Sequence, residues 1–99
     1  MEKQITVTGD RIQVSLVGSM YIEDAVIFKE ELLGYLDGEY NRCVIDMSAV
    51  DYIDAAGLGA LVTVSNRSHH LGCRVTVVGI KGIVKELFKL AQLEERFNT

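Results

Sequence analysis

The 99-residue sequence contains no proline and no tryptophan, and it has only two cysteines and two histidines. Cys43 and Cys73 are too few for a disulfide scaffold, and the adjacent His69 and His70 have no cysteine or acid at metal-ligand spacing. No run approaches the roughly 18 apolar residues that span a membrane, and the N-terminus lacks the apolar segment of a signal peptide. These absences predict a cytoplasmic protein with no direct membrane insertion, no metal and no other cofactor.

Positive charge is also scarce, because Lys and Arg number 10 against 14 Asp and Glu, giving a formal net charge of -4. Nucleic-acid binding needs clustered cations that neutralise phosphates, so this balance argues against a nucleic-acid partner. The length suits one domain, residues 1–99. A chain this short buries only about 60–65% of its unfolded surface, which leaves little room for a deep active site. We therefore expect a protein that is not an enzyme.

Alternation of polar and apolar residues predicts two strands at the start of the chain. Residues 4–9 and 11–17 alternate around a short turn that contains Gly9, a pattern typical of a β-hairpin. Gly18 is expected to end the second strand. An apolar run at 42–47 and a β-branched segment at 73–78 predict two further strands.

Apolar residues spaced by three or four predict three helices, over residues 23–36, 56–71 and 81–91. Asp37-Gly38 supplies a stop signal after the first. The faces expected to pack on the sheet comprise Gly57, Ala60, Leu61, Val64, Ser68 and Leu71 in the second helix, and Ile83, Leu87, Leu90 and Ala91 in the third. Leu93 and Phe97 are expected to pack the tail against the domain.

The order β-β-α-β-α-β-α predicts an α/β fold with a mixed sheet and helices packed on it. The opening hairpin is antiparallel. Strands that alternate with helices imply parallel, right-handed crossovers thereafter.

Residues 46–59 form the densest group of small and acidic residues in the chain. The third strand is expected to end near Met47, and a loop that buries Val50 and Ile53 is expected to follow. Asp54 then has the position and side chain of a helix N-cap.

The helix that starts after Asp54 begins with the small residues Ala55, Ala56 and Gly57. Amides in a first helical turn have no intrahelical partner, so such a helix start normally favours an anion. Here the carboxylate of Asp54 would occupy that position. The pattern is also consistent with a capped helix that is simply packed tightly.

The segment from Val44 to Leu61, VIDMSAVDYIDAAGLGAL, resembles the signature of STAS domains, and most closely that of bacterial anti-sigma factor antagonists. The family pattern is a strand that ends in aspartate, a Ser-x-Val step, and Asp-Ser-Ser/Thr-Gly-Leu-Gly opening a helix. The likeness extends over the hairpin, the Gly18 turn, the strand before Gly79 and the last helix. It implies a STAS fold and a protein that binds an anti-sigma factor, which is also a serine kinase, and so promotes sigma-factor-dependent transcription.

The sequence departs from the family at the phosphorylated position. The family's kinase phosphorylates the hydroxyl residue just before the motif glycine, and the complex then dissociates. Here that position is Ala56, preceded by Ala55, and neither accepts a phosphate. At the end of the second strand the family tends to have Gly-Glu-Leu-Asp, where this sequence has Gly18-Ser19-Met20-Tyr21. Tyr21 thus stands where the family has an acid near the phosphosite. The resemblance thus implies an antagonist that phosphorylation at this position does not switch off.

The residues expected to bind the partner lie in the turn after the second strand and at the start of the second helix. They are Gly18, Ser19, Met20, Tyr21, Tyr52, Asp54, Ala55, Ala56, Gly57, Leu58, Gly59 and Val62. Leu58 and Val62 fall on a second helical face and are candidate exposed apolar contacts, unless helix packing covers them.

Two alternatives to an antagonist remain open. A STAS domain that is not phosphorylated also suits a scaffold in a large signalling complex or a small subunit of a lipid-transport ABC system, and an oligomer is possible. Some STAS domains bind nucleotides or anions, which a helix N-terminus allows, although Asp54 disfavours a phosphate.

Overall fold

The computed structural model describes residues 1–36 and 39–99. The elements are β1 (Glu2–Thr8), β2 (Arg11–Met20), α1 (Ile22–Tyr35), β3 (Arg42–Ile53), α2 (Ala55–His70), β4 (Arg74–Val78) and α3 (Gly82–Leu90). Their order confirms the predicted β-β-α-β-α-β-α. The predicted stop at Asp37-Gly38 lies outside the described residues.

The four strands form one sheet in the order β1-β2-β3-β4. The β1–β2 hairpin is antiparallel, and β2–β3 and β3–β4 are parallel. Each crossover advances by one strand in the same direction, so right-handed connections bring α1 and α2 to the same face of the sheet. This is the predicted mixed sheet with helices packed on it.

The core lies between that face and the helices. Ile12, Val14 and Leu16 of β2 are buried as their alternation predicts, and Phe28 and Leu32 of α1 pack over them in the same cluster. The tail is also held as predicted. The Phe97 ring packs edge-on against Phe88 with ring centroids 5.9 Å apart, and the Phe97 carbonyl accepts a hydrogen bond from the Val77 amide at 3.1 Å.

The predicted packing face of α3 was wrong. Val84 and Phe88 are its fully buried residues, whereas Leu90 is 79% exposed. The helix begins at Gly82 with Lys81 as its N-cap. Its rotation about the helix axis turns Val84 and Phe88, which are spaced by four, toward the sheet. Leu71 was also misassigned: α2 ends at His70, and Leu71 is 43% exposed as its C-cap.

The predicted ends of β2 and β3 were also wrong. The strand β2 continues past Gly18 to Met20, and β3 continues past Met47 to Ile53, so the expected loop around Val50 is strand. Two register shifts against β2 each leave one extra residue in β3. A bulge shifts the alternation of a strand. Because of these two bulges, Met47, Val50 and Ile53 are all buried although they are spaced by three.

Candidate functional site

The carboxyl ends of β2 and β3 lie side by side, next to the first turns of α1 and α2. Ser19 pairs with Tyr52, and Met20 pairs with Ile53. The Asp54 amide then donates a hydrogen bond to the Met20 carbonyl at 3.1 Å. The structure thus brings together the two segments that the sequence singles out, residues 18–21 and 52–59. We call this region the junction.

Asp54 is the N-cap of α2, as predicted. Its Oδ1 accepts a hydrogen bond from the Gly57 amide at 2.9 Å, and its carbonyl accepts one from the Leu58 amide at 3.0 Å. A carboxylate here satisfies one free amide and interacts favourably with the helix dipole. The protein therefore fills the start of α2 with a negative charge of its own.

Gly57 and Met20 form the floor of the junction. Both are buried, and a Cβ on Gly57 would lie 2.5 Å from Ile53 Cγ1 and 3.0 Å from Met20 Sδ. The absence of a side chain at Gly57 is what allows α2 to approach the ends of β2 and β3. These two predicted partner-binding residues shape the site from beneath.

Two tyrosines form the rim of the junction. The rings of Tyr21 and Tyr52 are stacked at a tilt of 39°, with centroids 5.8 Å apart. They remain 50% and 38% exposed, respectively. Tyr21 is also the N-cap of α1, and its backbone amide donates to Asp24 Oδ2 at 3.1 Å. A paired aromatic surface is therefore open to solvent and fixed at the start of a helix.

A groove of about 320 Å³ runs between α1 and α2, and it begins next to this rim. Its walls include Ile22, Val26, Lys29, Ala56, Gly59 and Thr63. Ile22 and Val26 are 58% and 44% exposed, although both are apolar. The groove stays open at Gly59, since a Cβ there would have no atom within 4 Å.

Sequence reasoning missed four of these groove residues, namely Ile22, Val26, Lys29 and Thr63. The signal for two of them was present, because Ile22 and Val26 form an apolar pair spaced by four that lies off the buried face of α1. Lys29 and Thr63 have no comparable signal in the sequence.

A second group of contacts fixes the first bulge of β3. Asp46 Oδ1 accepts a hydrogen bond from the Ser48 amide at 2.9 Å. Hydrogen bonding to Ser48 lowers the pKa of the Asp46 carboxyl. Gly79 lies against the same residue, so that a Cβ on it would be 2.7 Å from Ser48 Cβ. These contacts hold the shifted alternation that directs Val50 and Ile53 into the core.

Comparison with known proteins assigns the family. The sequence model of the STAS domain matches residues 2–99. The chain belongs to the STAS domain family. Residues 52–59 of the junction lie within the segment from Val44 to Leu61 that carries the resemblance.

Solved structures with this STAS fold share little sequence with the chain. A Thermotoga maritima protein named as a candidate anti-sigma factor antagonist is 22% identical, covers 93% of this chain and 80% of its own, and has a TM-score of 0.80. An anti-sigma factor antagonist from Mycobacterium paratuberculosis is 19% identical to this chain. The match covers 97% of this chain and 81% of the antagonist, with a TM-score of 0.79. The Bacillus cell fate determinant SpoIIAA in its phosphorylated form is 12% identical to this chain. The match covers 95% of this chain and 86% of SpoIIAA, with a TM-score of 0.79.

The remaining predicted residues of this STAS domain differ in accessibility. Ala55 and Gly59 are exposed, and Gly18, Ser19, Asp54 and Ala56 are half-buried. Leu58 and Val62 are half-buried and pack against the core, so they are only partly available as the exposed apolar contacts considered above. Among residues 1–36 and 39–99, no helix is long and apolar enough to cross a membrane.

Proposed function

We propose that this STAS domain is an anti-sigma factor antagonist that binds a kinase-type anti-sigma factor through the junction. Binding releases the sigma factor and promotes sigma-factor-dependent transcription. The proposal is supported by the family and by the antagonists that share the fold. Phosphorylation at position 56 does not interrupt this binding, because Ala56 has no hydroxyl group.

The exposed Tyr21–Tyr52 pair beside the α1–α2 groove is the observation that carries the proposal. Aromatic side chains are enriched among the residues that dominate protein–protein binding energy. Both rings are already held against each other, so they lose little side-chain freedom on binding. With Ile22 and Val26 they form a continuous exposed apolar area at the start of α1 and along the groove.

The chemistry of the junction also favours a protein over a phosphate ligand. Asp54 already caps the amide of Gly57, and Glu23 and Asp24 lie in the first turn of α1. A phosphate placed there would meet repulsion from these carboxylates. A phosphate carried at position 56 would also have to be desolvated in the interface, and Ala56 cannot carry one.

Substitution of the rim tests the proposed interface. Tyr52→Ala removes half of the stacked pair, and we expect it to weaken binding of the purified anti-sigma factor kinase from the same organism by about tenfold or more, the effect of losing an aromatic hot spot. Isothermal titration calorimetry measures the change. The double variant with Tyr21→Ala should bind more weakly still.

Leu90→Ala is the matched control for the loss of exposed apolar area. Leu90 is 79% exposed at the end of α3, away from the junction, so this variant should bind within about twofold of the wild type. Equal losses for Tyr52→Ala and Leu90→Ala, or unchanged binding by the double tyrosine variant, would show that the partner docks elsewhere.

A further inference from the structure

Three arginines stand side by side at the amino ends of the parallel strands. Arg11 pairs with Arg42, and Arg42 pairs with Arg74, so the three residues occupy one register position on β2, β3 and β4. We call them the arginine row. Adjacent strands are about 4.8 Å apart, which makes the row about 10 Å long. The chain has five arginines in total, and three of them are in this row although the net charge is -4.

The row lies on the face of the sheet that the helices leave open. The residues that follow the three arginines, Ile12, Cys43 and Val75, are buried in the core beneath the helices. Since successive side chains of a strand point to opposite faces, the arginines are directed to the other side. All three are exposed.

No carboxylate of residues 1–36 and 39–99 forms an ion pair with the arginine row. The ion pairs found in residues 1–36 and 39–99 join Met1 to Asp24 and Lys3 to Glu31. Asp10, which precedes Arg11, lies at the end of the row, but its Oδ2 accepts a hydrogen bond from Asn41 Nδ2 and not from a guanidinium group. Like charges directly opposite each other on a sheet are destabilising. In the free protein, repulsion within the row is therefore not offset by an ion pair to any of the three arginines.

The positive surface continues around the edge of the sheet. Arg74 also lines a cleft of about 260 Å³, together with His69 and Arg96, and no acidic residue among those that the structure describes lines it. Arg96 donates a hydrogen bond from Nη1 to the neutral Asn66 side chain at 2.8 Å. Its charge is therefore not cancelled by that contact, so a further cation lies on the helix side of the β4 edge.

We propose that the arginine row binds an acidic segment of a partner protein. Guanidinium groups hold carboxylates by paired, charge-assisted hydrogen bonds, and a row of this length matches about three carboxylates. The next position on the same face of the sheet, two residues further along each strand, carries Gln13, Val44 and Thr76. These side chains are neutral and suit a peptide with mixed polar and apolar groups.

The chemistry favours a protein segment over a nucleic acid or a membrane. Affinity for nucleic acid grows with the number of phosphates neutralised, and this short row is set in a chain of net charge -4. The same negative charge repels an anionic lipid surface at long range. The row lies about 30 Å from the junction, at the opposite end of β2 and β3, so the site is independent of the proposed kinase interface.

A fluorescein-labelled hexaglutamate peptide tests the arginine row directly. We expect fluorescence anisotropy to show binding at about 50 mM salt that weakens at about 200 mM salt, and no binding of hexaglutamine. Arg42→Gln, in the middle of the row, should weaken binding about fivefold, and replacing all three arginines by glutamine should abolish it. Lys89→Gln removes an exposed charge on α3 and should change binding by less than about twofold.

The melting temperature of the Arg42→Gln variant without peptide supplies a second measurement. Arg42→Gln should raise the melting temperature by about 1–4 °C at low salt, because it removes repulsion between adjacent strands. A lower melting temperature would mean that the row stabilises the fold, which contradicts the proposal. So would equal losses for Lys89→Gln and Arg42→Gln, no peptide binding up to about 1 mM, or tighter binding to an oligothymidine or to phosphatidylglycerol vesicles.

Discussion

Gly57→Ala should lower the free energy of unfolding by about 2–3 kcal/mol, the cost of overpacking a rigid contact. The new Cβ would lie 2.5 Å from Ile53 Cγ1. Ile53 is fully buried, so this atom can move aside only by a rotamer change within a close-packed core. Chemical denaturation should show the loss as a lower midpoint. The melting temperature should fall by more than about 8 °C.

Gly59→Ala is a matched control two residues along the same helix. A Cβ at Gly59 would have no atom within 4 Å, so the helix gains the intrinsic preference for alanine, about 0.5–1 kcal/mol. The two substitutions should therefore have opposite signs. If both stabilise or both destabilise the protein, the close approach of α2 to Ile53 and Met20 is not what requires a glycine at position 57.

Gly79→Ala should lower the free energy of unfolding by about 3 kcal/mol or more, at least as much as Gly57→Ala. Gly79 has a φ of +80°, which costs other residues about 1–2 kcal/mol. Its Cβ would also lie 2.7 Å from Ser48 Cβ and 3.0 Å from the Ser48 backbone. Thermal denaturation should show a fall well beyond that expected from backbone strain alone.

Gly72→Ala separates the two contributions at Gly79. Gly72 has a φ of +75°, but a Cβ there would meet nothing within 4 Å, so only the strain of about 1–2 kcal/mol applies. Adding Ser48→Gly to Gly79→Ala should recover part of the loss, as expected for two residues in contact. Equal effects at Gly72 and Gly79, with no recovery, would refute the contact with the β3 bulge.

The order of the elements was predictable because it depends on local patterns. Alternation in β2 and the three-to-four spacing of Ala25, Phe28 and Leu32 are each set by one element packing on one core. The bulges of β3 were not predictable in this way. They depend on the pairing of β3 with β2, a contact between segments about 30 residues apart in the sequence, and they convert strand alternation into a spacing of three.

The junction was predictable as a location but not as a surface. The capping signal of Asp54 and the small residues after it identify the start of α2, and the structure confirms that start. The open groove depends on how α1 and α2 pack against each other, so Ile22 and Val26 were not identified. The burial of Met20 and Gly57 likewise follows from the contact between the end of β2 and α2.

The arginine row shows a further limit of composition as a guide. A net charge of -4 implies that the chain as a whole repels polyanions at long range. It says nothing about where the few cations lie, because Arg11, Arg42 and Arg74 are far apart in the sequence and meet only through strand register.

Binding of the anti-sigma factor kinase in the presence and absence of ATP tests the central proposal most directly. The account predicts the same affinity of the wild-type chain in both conditions and no phosphate on the peptide that contains Ala55 and Ala56. The Ala56→Ser variant, which introduces a hydroxyl group beside Asp54, should bind without ATP and dissociate when ATP is added, because a charged phosphate in the interface has to be desolvated on binding. ATP-dependent dissociation of the wild-type chain, or no binding in either condition, would contradict the account.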